Sequence, residues 1–166
     1  TRENTKCMVE VNGSKLIDRL LGQLYRQKIS RVIIVVGHQG QKLIDHIGHR
    51  YDGLLTIEYA ENPVYDHTNN IYSLSLVKDK LQEDDTLLIE SDLIFSDRLI
   101  PMIVDAPYPN LALVAKYETW MDGTMVRLDE DRNIVNFISK EAFDYADADS
   151  YYKTVNIYKF SKEFLQ

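Results

Sequence analysis

Two short stretches hold the residues best able to do chemistry. The first is Glu61-Asn62-Pro63-Val64-Tyr65-Asp66-His67-Thr68-Asn69-Asn70-Ile71-Tyr72-Ser73-Leu74, a polar turn that runs into a helix start. The second is Leu87-Leu88-Ile89-Glu90-Ser91-Asp92, an apolar strand that ends in acidic residues. In a βα alternation both lie at one rim of a sheet, where α/β proteins bind their ligands. A helix start offers free N–H groups to phosphates or base carbonyls. An aspartate at a strand end is a Mg²⁺ ligand of the usual kind, one carboxylate among phosphate oxygens and waters. Together the two stretches predict a nucleotide–metal site.

The elements that must position these residues read clearly in the first half. Leu16, Ile17, Leu20, Leu21 and Leu24 mark one face of a helix after Asn12-Gly13-Ser14. Arg31 to Val36 predicts a fully buried strand, followed by the turn Gly37-His38-Gln39-Gly40. Leu43, Ile44 and Ile47 predict a short helix ending near Gly48, and Leu54 to Tyr59 a second strand. Ile71, Leu74, Val77 and Leu81 predict a long amphipathic helix capped by Thr68, Asn69 or Asn70. Thr86 to Ile89 is a third strand and Arg98 to Val104 a helix. The second half is richer in strands: Leu111 to Lys116, Thr124 to Leu128, Ile134 to Ile138 and Thr154 to Phe160, with Asp129-Glu130-Asp131-Arg132-Asn133 as a polar hairpin turn. A parallel α/β part followed by a β-rich part predicts one α/β domain over 1–166. Residues 1–106 would take the nucleotide and residues 107–166 the acceptor.

Composition narrows the choice of function. The 166 residues suffice for one domain with a substantial core. A net charge of −7 and a pI near 5.1, without any basic run, argue against a nucleic acid or an anionic lipid surface as partner. The longest apolar run, Val32 to Val36, is too short to cross a bilayer, and the polar start lacks the apolar stretch of a signal peptide. A single cysteine, Cys7, forbids an internal disulfide and makes a reducing cytoplasm the expected location. His46 and His49 are three apart, but no Cys or third His joins them as a zinc set.

With these motifs assembled, the chain resembles the sugar-nucleotide-type nucleotidyltransferases. Within that family it is most similar to CTP:phosphocholine and 2-aminoethylphosphonate cytidylyltransferases. The resemblance is carried by Glu3-Asn4-Thr5-Lys6-Cys7-Met8-Val9-Glu10-Val11-Asn12-Gly13, Ile33-Ile34-Val35-Val36-Gly37-His38, the Asn62 to Leu74 block, Ile89-Glu90-Ser91-Asp92 and Trp120-Met121-Asp122-Gly123-Thr124. It covers nearly the whole chain, and Thr68-Asn69-Asn70-Ile71-Tyr72-Ser73-Leu74 is its most specific part. It implies a Rossmann-like, GT-A-like mixed sheet with helices on both faces. It also implies Mg²⁺ as cofactor, CTP or another NTP as donor, and a small phosphorylated or phosphonate acceptor. The family opens with a strand and a glycine-rich, arginine-containing loop ahead of the lysine matched by Lys6. The expectation is therefore of a piece lacking that first strand, inactive by itself, with an open gap between the strands around Ile33 and Leu88. The family's second metal-binding carboxylate lies near or beyond Gln166, and some members are fused to an aminotransferase domain.

The resemblance also implies roles. Lys6 would neutralise the nucleotide phosphates, the alternative being a solvated surface lysine. Asp92 would hold Mg²⁺, or else start a turn, with Glu90 beside it in a supporting position. Asn69, Asn70 and Ser73 would meet the pyrimidine nucleotide, and Asn equally serves as a helix cap. Trp120, the only tryptophan, would face a quaternary ammonium with Asp122 adding opposite charge, or would pack in the core. Lys116, Asn156 and Tyr158 complete the acceptor-side candidates, Tyr158 having strand packing as its alternative. Two other readings stay open: a sugar-1-phosphate nucleotidyltransferase using UTP, GTP or dTTP, and a non-catalytic nucleotide-binding module.

Overall fold

The computed structural model describes residues 5–166, so Glu3 and Asn4 of the opening motif lie outside the described residues. A 3-10 turn at Lys6–Met8 leads into a small hairpin of β1 (Glu10–Val11) and β2 (Ser14–Lys15). Then follow α1 (Leu16–Arg26), β3 (Arg31–Val36), α2 (Gly40–Ile47), β4 (Thr56–Glu61), α3 (Asn70–Ser75), α4 (Lys78–Leu81), β5 (Thr86–Ile89) and α5 (Leu99–Val104). The last part holds β6 (Leu111–Lys116), β7 (Met125–Leu128), β8 (Ile134–Ile138) and the long β9 (Tyr152–Phe160).

The expected stripe of α1 organises the core. Ile17 and Leu21 pack with Val36, Leu43, Ile47 and Leu55, over the β3–β4 layer and α2. Leu20 and Leu24 pack instead with Ile100 and against Val32, Leu87 and Ile89. One helix thus lies across both β3 and β5. Each of its buried leucines contributes roughly 1.5–3 kcal/mol of apolar transfer free energy.

Strands β3 and β4 are parallel, in register from Arg31↔Thr56 to Val36↔Glu61. β5 joins a different sheet, pairing antiparallel with β9 from Thr86↔Phe160 to Ile89↔Ile157. β9 is the spine of that sheet. One of its edges receives β6, and the other receives β5 near its end and β7 near its start, with β8 outermost. Among the described residues no ladder joins β3 to β5. A cleft lies there, lined by Lys6, Cys7, Ile34 to His38 and Ser91.

Three sequence expectations are corrected. β3 is not fully buried: Val36 is, but Val32 to Val35 are half-buried, because among the described residues β3 has a neighbouring strand on one side only. The single helix expected through Ile71, Leu74, Val77 and Leu81 is two short ones, α3 and α4. Ile71 is 75% exposed, so the apolar face that would have held a continuous helix is not covered there. Ser75 Oγ also donates back to the Tyr72 carbonyl at 2.7 Å, a bond that competes with the helical ladder. Finally, Leu54 and Leu55 belong to a turn ahead of β4, and Thr124 lies outside β7.

Two polar ties fasten these layers. Buried Gln23 of α1 donates from Nε2 to Asp97 Oδ1 at 2.7 Å and to the Phe95 carbonyl at 3.2 Å, fixing the segment that follows Asp92. On β3, Arg31 reaches Glu58 of β4 at 2.6 Å and Glu83 at 2.5 Å, and Lys80 of α4 also meets Glu58. The bond from Arg31, then that from Lys80, hold the Glu58 carboxyl down to about 2, from 4.5.

Two outcomes follow. Gln23→Leu keeps the volume but removes the donor to the Phe95 carbonyl and leaves Asp97 with Arg26 alone. We expect a loss of about 1–3 kcal/mol, read as a fall in the urea midpoint with unchanged slope. For Glu58 the folded-state pKa is depressed, so its contribution is complete above about 4.5 and is lost as pH falls towards about 2. Glu58→Gln should therefore flatten the acid limb of a stability–pH curve in that window, and an unchanged limb would dismiss the tie.

Candidate functional site

The rim is built from three loop regions that follow strands. Gly37, after β3, comes so close to Tyr65, after β4, that a Cβ on it would sit 2.6 Å from Tyr65 Cβ. His38 and Tyr65 rings also meet, with centroids 5.8 Å apart. The close approach requires a residue without a side chain.

The loop after β4 is braced by Asn62, which is buried and which sequence reasoning left without a role. Its Nδ2 donates to Thr68 Oγ1 at 3.0 Å and Ser73 Oγ at 3.1 Å, and its Oδ1 accepts from Val64 N–H at 3.0 Å. Every side-chain group of Asn62 is thereby satisfied within the loop and α3, as a buried amide requires. Ser73 is held by this brace. Asn69 is the N-cap of α3, its Oδ1 accepting from Tyr72 N–H at 3.2 Å. The capping reading of Asn69 therefore stands.

Asn70, the first residue of α3, is exposed and donates from Nδ2 to Glu90 Oε1 at 2.8 Å. That bond places the loop after β4 at the end of β5. The other carboxylate oxygen of Glu90 accepts from Asn156 Nδ2 of β9 at 2.9 Å. Asn156 has φ +59, a left-handed backbone rarely taken by residues other than glycine. It lies where the β6–β9 register shifts, Ala112 facing Tyr158 but Val114 facing Thr154, and where the other edge of β9 changes partner from β7 to β5. Such a bulge re-aims a side chain, and here the side chain meets Glu90. Tyr158 hydroxyl lies 3.5 Å from Asn156 Oδ1, and its ring stacks on Phe160.

Two residues beyond Glu90, Asp92 lies 3.7 Å from Lys6 Nζ through Oδ2, and its side chain is 31% exposed. Lys6, Ser91 and the end of β3 line the cleft beside this pair. The structure thus brings Lys6 to Asp92, Asn70 and Asn156 to Glu90, and Tyr158 to Asn156.

The acceptor-side candidates on the β6–β7 loop stand apart. Trp120 is 74% exposed, so it does not pack in the core; its Nε1 donates to Glu118 at 2.7 Å. Asp122 accepts from Gly123 N–H at 2.8 Å. Lys116, at the end of β6, donates to the Asp149 carbonyl and lies 4.8 Å from the centre of the Tyr152 ring. Among the described residues no hydrogen bond or ion pair links Trp120, Asp122 or Lys116 to Glu90 or Asp92.

No set of three or more His, Cys, Asp or Glu able to hold a metal occurs among the described residues. His46 instead pairs with Asp18 at 2.9 Å and Lys15 at 3.1 Å. Of the two carboxylates that follow β5, Asp92 is the metal candidate, because both oxygens of Glu90 accept from Asn side chains. One carboxylate completed by phosphate oxygens and water is a Mg²⁺ arrangement. No helix among the described residues is long and apolar enough to cross a membrane.

Comparison with known proteins bears on the fold and the family. CMP-5'-(3-aminopropyl)phosphonate synthase of Streptomyces rubellomurinus is 28% identical over 97% of the chain, which spans 26% of that protein. The 2-aminoethylphosphonate cytidylyltransferase of Lancefieldella rimae is 29% identical over 60% of the chain and 39% of its own length. The chain therefore spans well under half the length of these two relatives. Among solved structures, a Bacillus anthracis protein assigned as a glucose-1-phosphate thymidylyltransferase aligns over 99% of this chain and 66% of its own, with TM-score 0.78 and 16% identity. The inositol-1-phosphate CTP transferase of T. maritima aligns over 95% and 62%, with TM-score 0.66 and 18% identity. These likenesses show a Rossmann-like α/β fold. The family model for nucleotidyl transferases matches residues 1–166, and the chain belongs to that family.

Proposed function

We propose that this chain is the nucleotide-handling part of a cytidylyltransferase that moves CMP from CTP to a small amine bearing a phosphonate or phosphate. The observation that carries this reading is the meeting of Lys6 with Asp92, 3.7 Å apart, beside the Glu90 cluster at one rim. A cation and a carboxylate so placed match the two charges that phosphoryl chemistry needs, one for the phosphates and one for a metal. The relatives named for CMP-phosphonate products support cytidine and a phosphonate acceptor over other pairs.

In this reading residues 1–106 bind the nucleotide and residues 107–166 the acceptor. An acceptor phosphonate oxygen, already an anion, attacks the α-phosphorus of CTP. The new P–O bond forms as the bond to the bridging oxygen breaks, and pyrophosphate leaves with the electron pair. No proton needs to be moved and no covalent enzyme intermediate forms. Lys6 neutralises phosphate charge as it builds, and Asn69, Asn70 and Ser73 position the nucleotide. Asp92 would hold Mg²⁺, which when bound would offset charge on the triphosphate. Trp120 keeps an exposed ring face, and Asp122 lies two residues on, a pairing suited to an ammonium group. Lys116, Asn156 and Tyr158 line the acceptor side.

The test is pyrophosphate release by the full-length protein with each of the four NTPs, with 2-aminoethylphosphonate, phosphocholine or no acceptor. We expect release from CTP only when an acceptor is present. Asp92→Ala should abolish it, and Lys6→Ala should lower kcat by about 10²-fold or more. Removal of divalent metal by a chelator should stop turnover and added Mg²⁺ should restore it. Full activity of Asp92→Ala would overturn the metal assignment. A preference for UTP or dTTP with a sugar phosphate would replace the cytidine reading.

A further inference from the structure

Glu90 does more than close the end of β5. Its two carboxylate oxygens each take one amide N–H donor, from Asn70 at 2.8 Å and from Asn156 at 2.9 Å. A carboxylate only accepts hydrogen bonds, so neither amide can turn its oxygen towards Glu90. The usual ambiguity between the oxygen and nitrogen of an Asn side chain is therefore resolved by chemistry at both residues. For Asn156 the freed Oδ1 lies within 3.5 Å of the Thr154 and Tyr158 hydroxyls. For Asn70, which is exposed, no hydrogen bond reaches Oδ1 among the described residues.

We propose that Glu90 is a positioning residue that fixes the sense of the Asn70 amide, so that Oδ1 faces the bound nucleotide as an acceptor for an N–H donor on its base. This rests on the reading of Asn70 as a nucleotide-binding side chain. An acceptor in that place suits a base with an exocyclic amine and opposes one with a carbonyl there. A polar group built to pair with an amine is left unpaired, or faces a repelling lone pair, when a keto base enters. Discrimination between cytosine and uracil then depends on a carboxylate that touches neither. The left-handed conformation of Asn156 and the bulge around it are the structural cost of bringing the second amide to Glu90.

The test exchanges polarity without changing shape. Glu90→Gln keeps the size of the side chain but offers one acceptor and one donor, so one Asn amide must turn over, and it is Asn70, because Asn156 Oδ1 is held by the Thr154 and Tyr158 hydroxyls. Asn70→Asp makes position 70 an acceptor only, which opposes Glu90 but matches the donor of Glu90→Gln. In the full-length protein we expect Glu90→Gln to lower the CTP-to-UTP ratio of kcat/KM by about tenfold. The change should lie mainly in the KM for CTP. The double variant Glu90→Gln/Asn70→Asp should recover the ratio, whereas Asn70→Asp alone should not. An equal fall for both nucleotides, or a ratio that does not move, would overturn the proposal. Side-chain amide signals in ¹⁵N–¹H spectra give a readout that needs no turnover. In the unaltered protein the NH₂ groups of Asn70 and Asn156 should both be shifted and slowed in exchange, and Glu90→Gln should release one of them. If both already behave as free amides, the orientation claim fails, whatever nucleotide the enzyme uses. If the spectra hold but neither CTP nor UTP is turned over, it is the proposed function that fails, not the orientation.

Discussion

The packing of α1 is the interaction on which the rest of the architecture depends. Two hydrogen-bonded layers, β3–β4 and the sheet centred on β9, share no ladder among the described residues. What joins them is the side-chain layer beneath. Ile17 and Leu21 belong to the first layer's core, and Leu20 and Leu24 to the second's. Since residues at this spacing lie on one broad stripe of a helix, a single amphipathic helix can serve both. The same helix carries Gln23, whose amide holds Phe95 and Asp97 in place. Asp92 is thus fixed from both sides, by β5 before it and by α1 after it. The distance from Asp92 to Lys6 is a product of core packing as much as of their mutual charge.

Polar contacts then complete what apolar packing begins. Apolar burial sets the layers but leaves rim loops undetermined, since loops have few buried side chains with which to choose a shape. At this rim the choice is made by amides. Asn62 closes the loop after β4, Asn69 caps α3, and Asn70 and Asn156 meet on Glu90. Asn suits the work because it is short, carries both a donor and an acceptor, and adds no charge beside Glu90 and Asp92. The cations stand apart from this network: Lys6 keeps an exposed ammonium beside the cleft.

How much of this was legible in the sequence follows from the range of each contact. The stripe of α1, the span of β3 and the place of Asp92 after an apolar strand are local patterns, and the structure has them where periodicity puts them. The Thr68 to Leu74 block read as a helix start, and it is one, capped by Asn69. The length of that helix was misread, since the periodic apolar positions do not reveal that Ile71 has nothing above it. The buried character expected of β3 failed for a similar reason: a run of Val and Ile says nothing of how many neighbours a strand has. The bridge from Asn70 to Glu90 to Asn156 joins three distant segments, and no local signal encodes it. Asn62 and Gln23 are polar residues in ordinary surroundings by sequence alone. Their burial emerges only when the layers close over them.

The conformation of Asn156 limits what evolution can do with one position. The backbone there favours a residue at ease in the left-handed region, Gly, Asn and Asp above all. The Glu90 oxygen opposite asks for a neutral N–H donor. Gly satisfies the first demand and has nothing to offer the second. Asp would set a second negative charge against the first. Gln and Ser bring a donor but enter the left-handed region at a cost, one that Gln39 bears elsewhere in the chain. Asparagine meets both demands with the least backbone strain, so drift at this residue is disfavoured unless position 90 or the register of β9 changes with it.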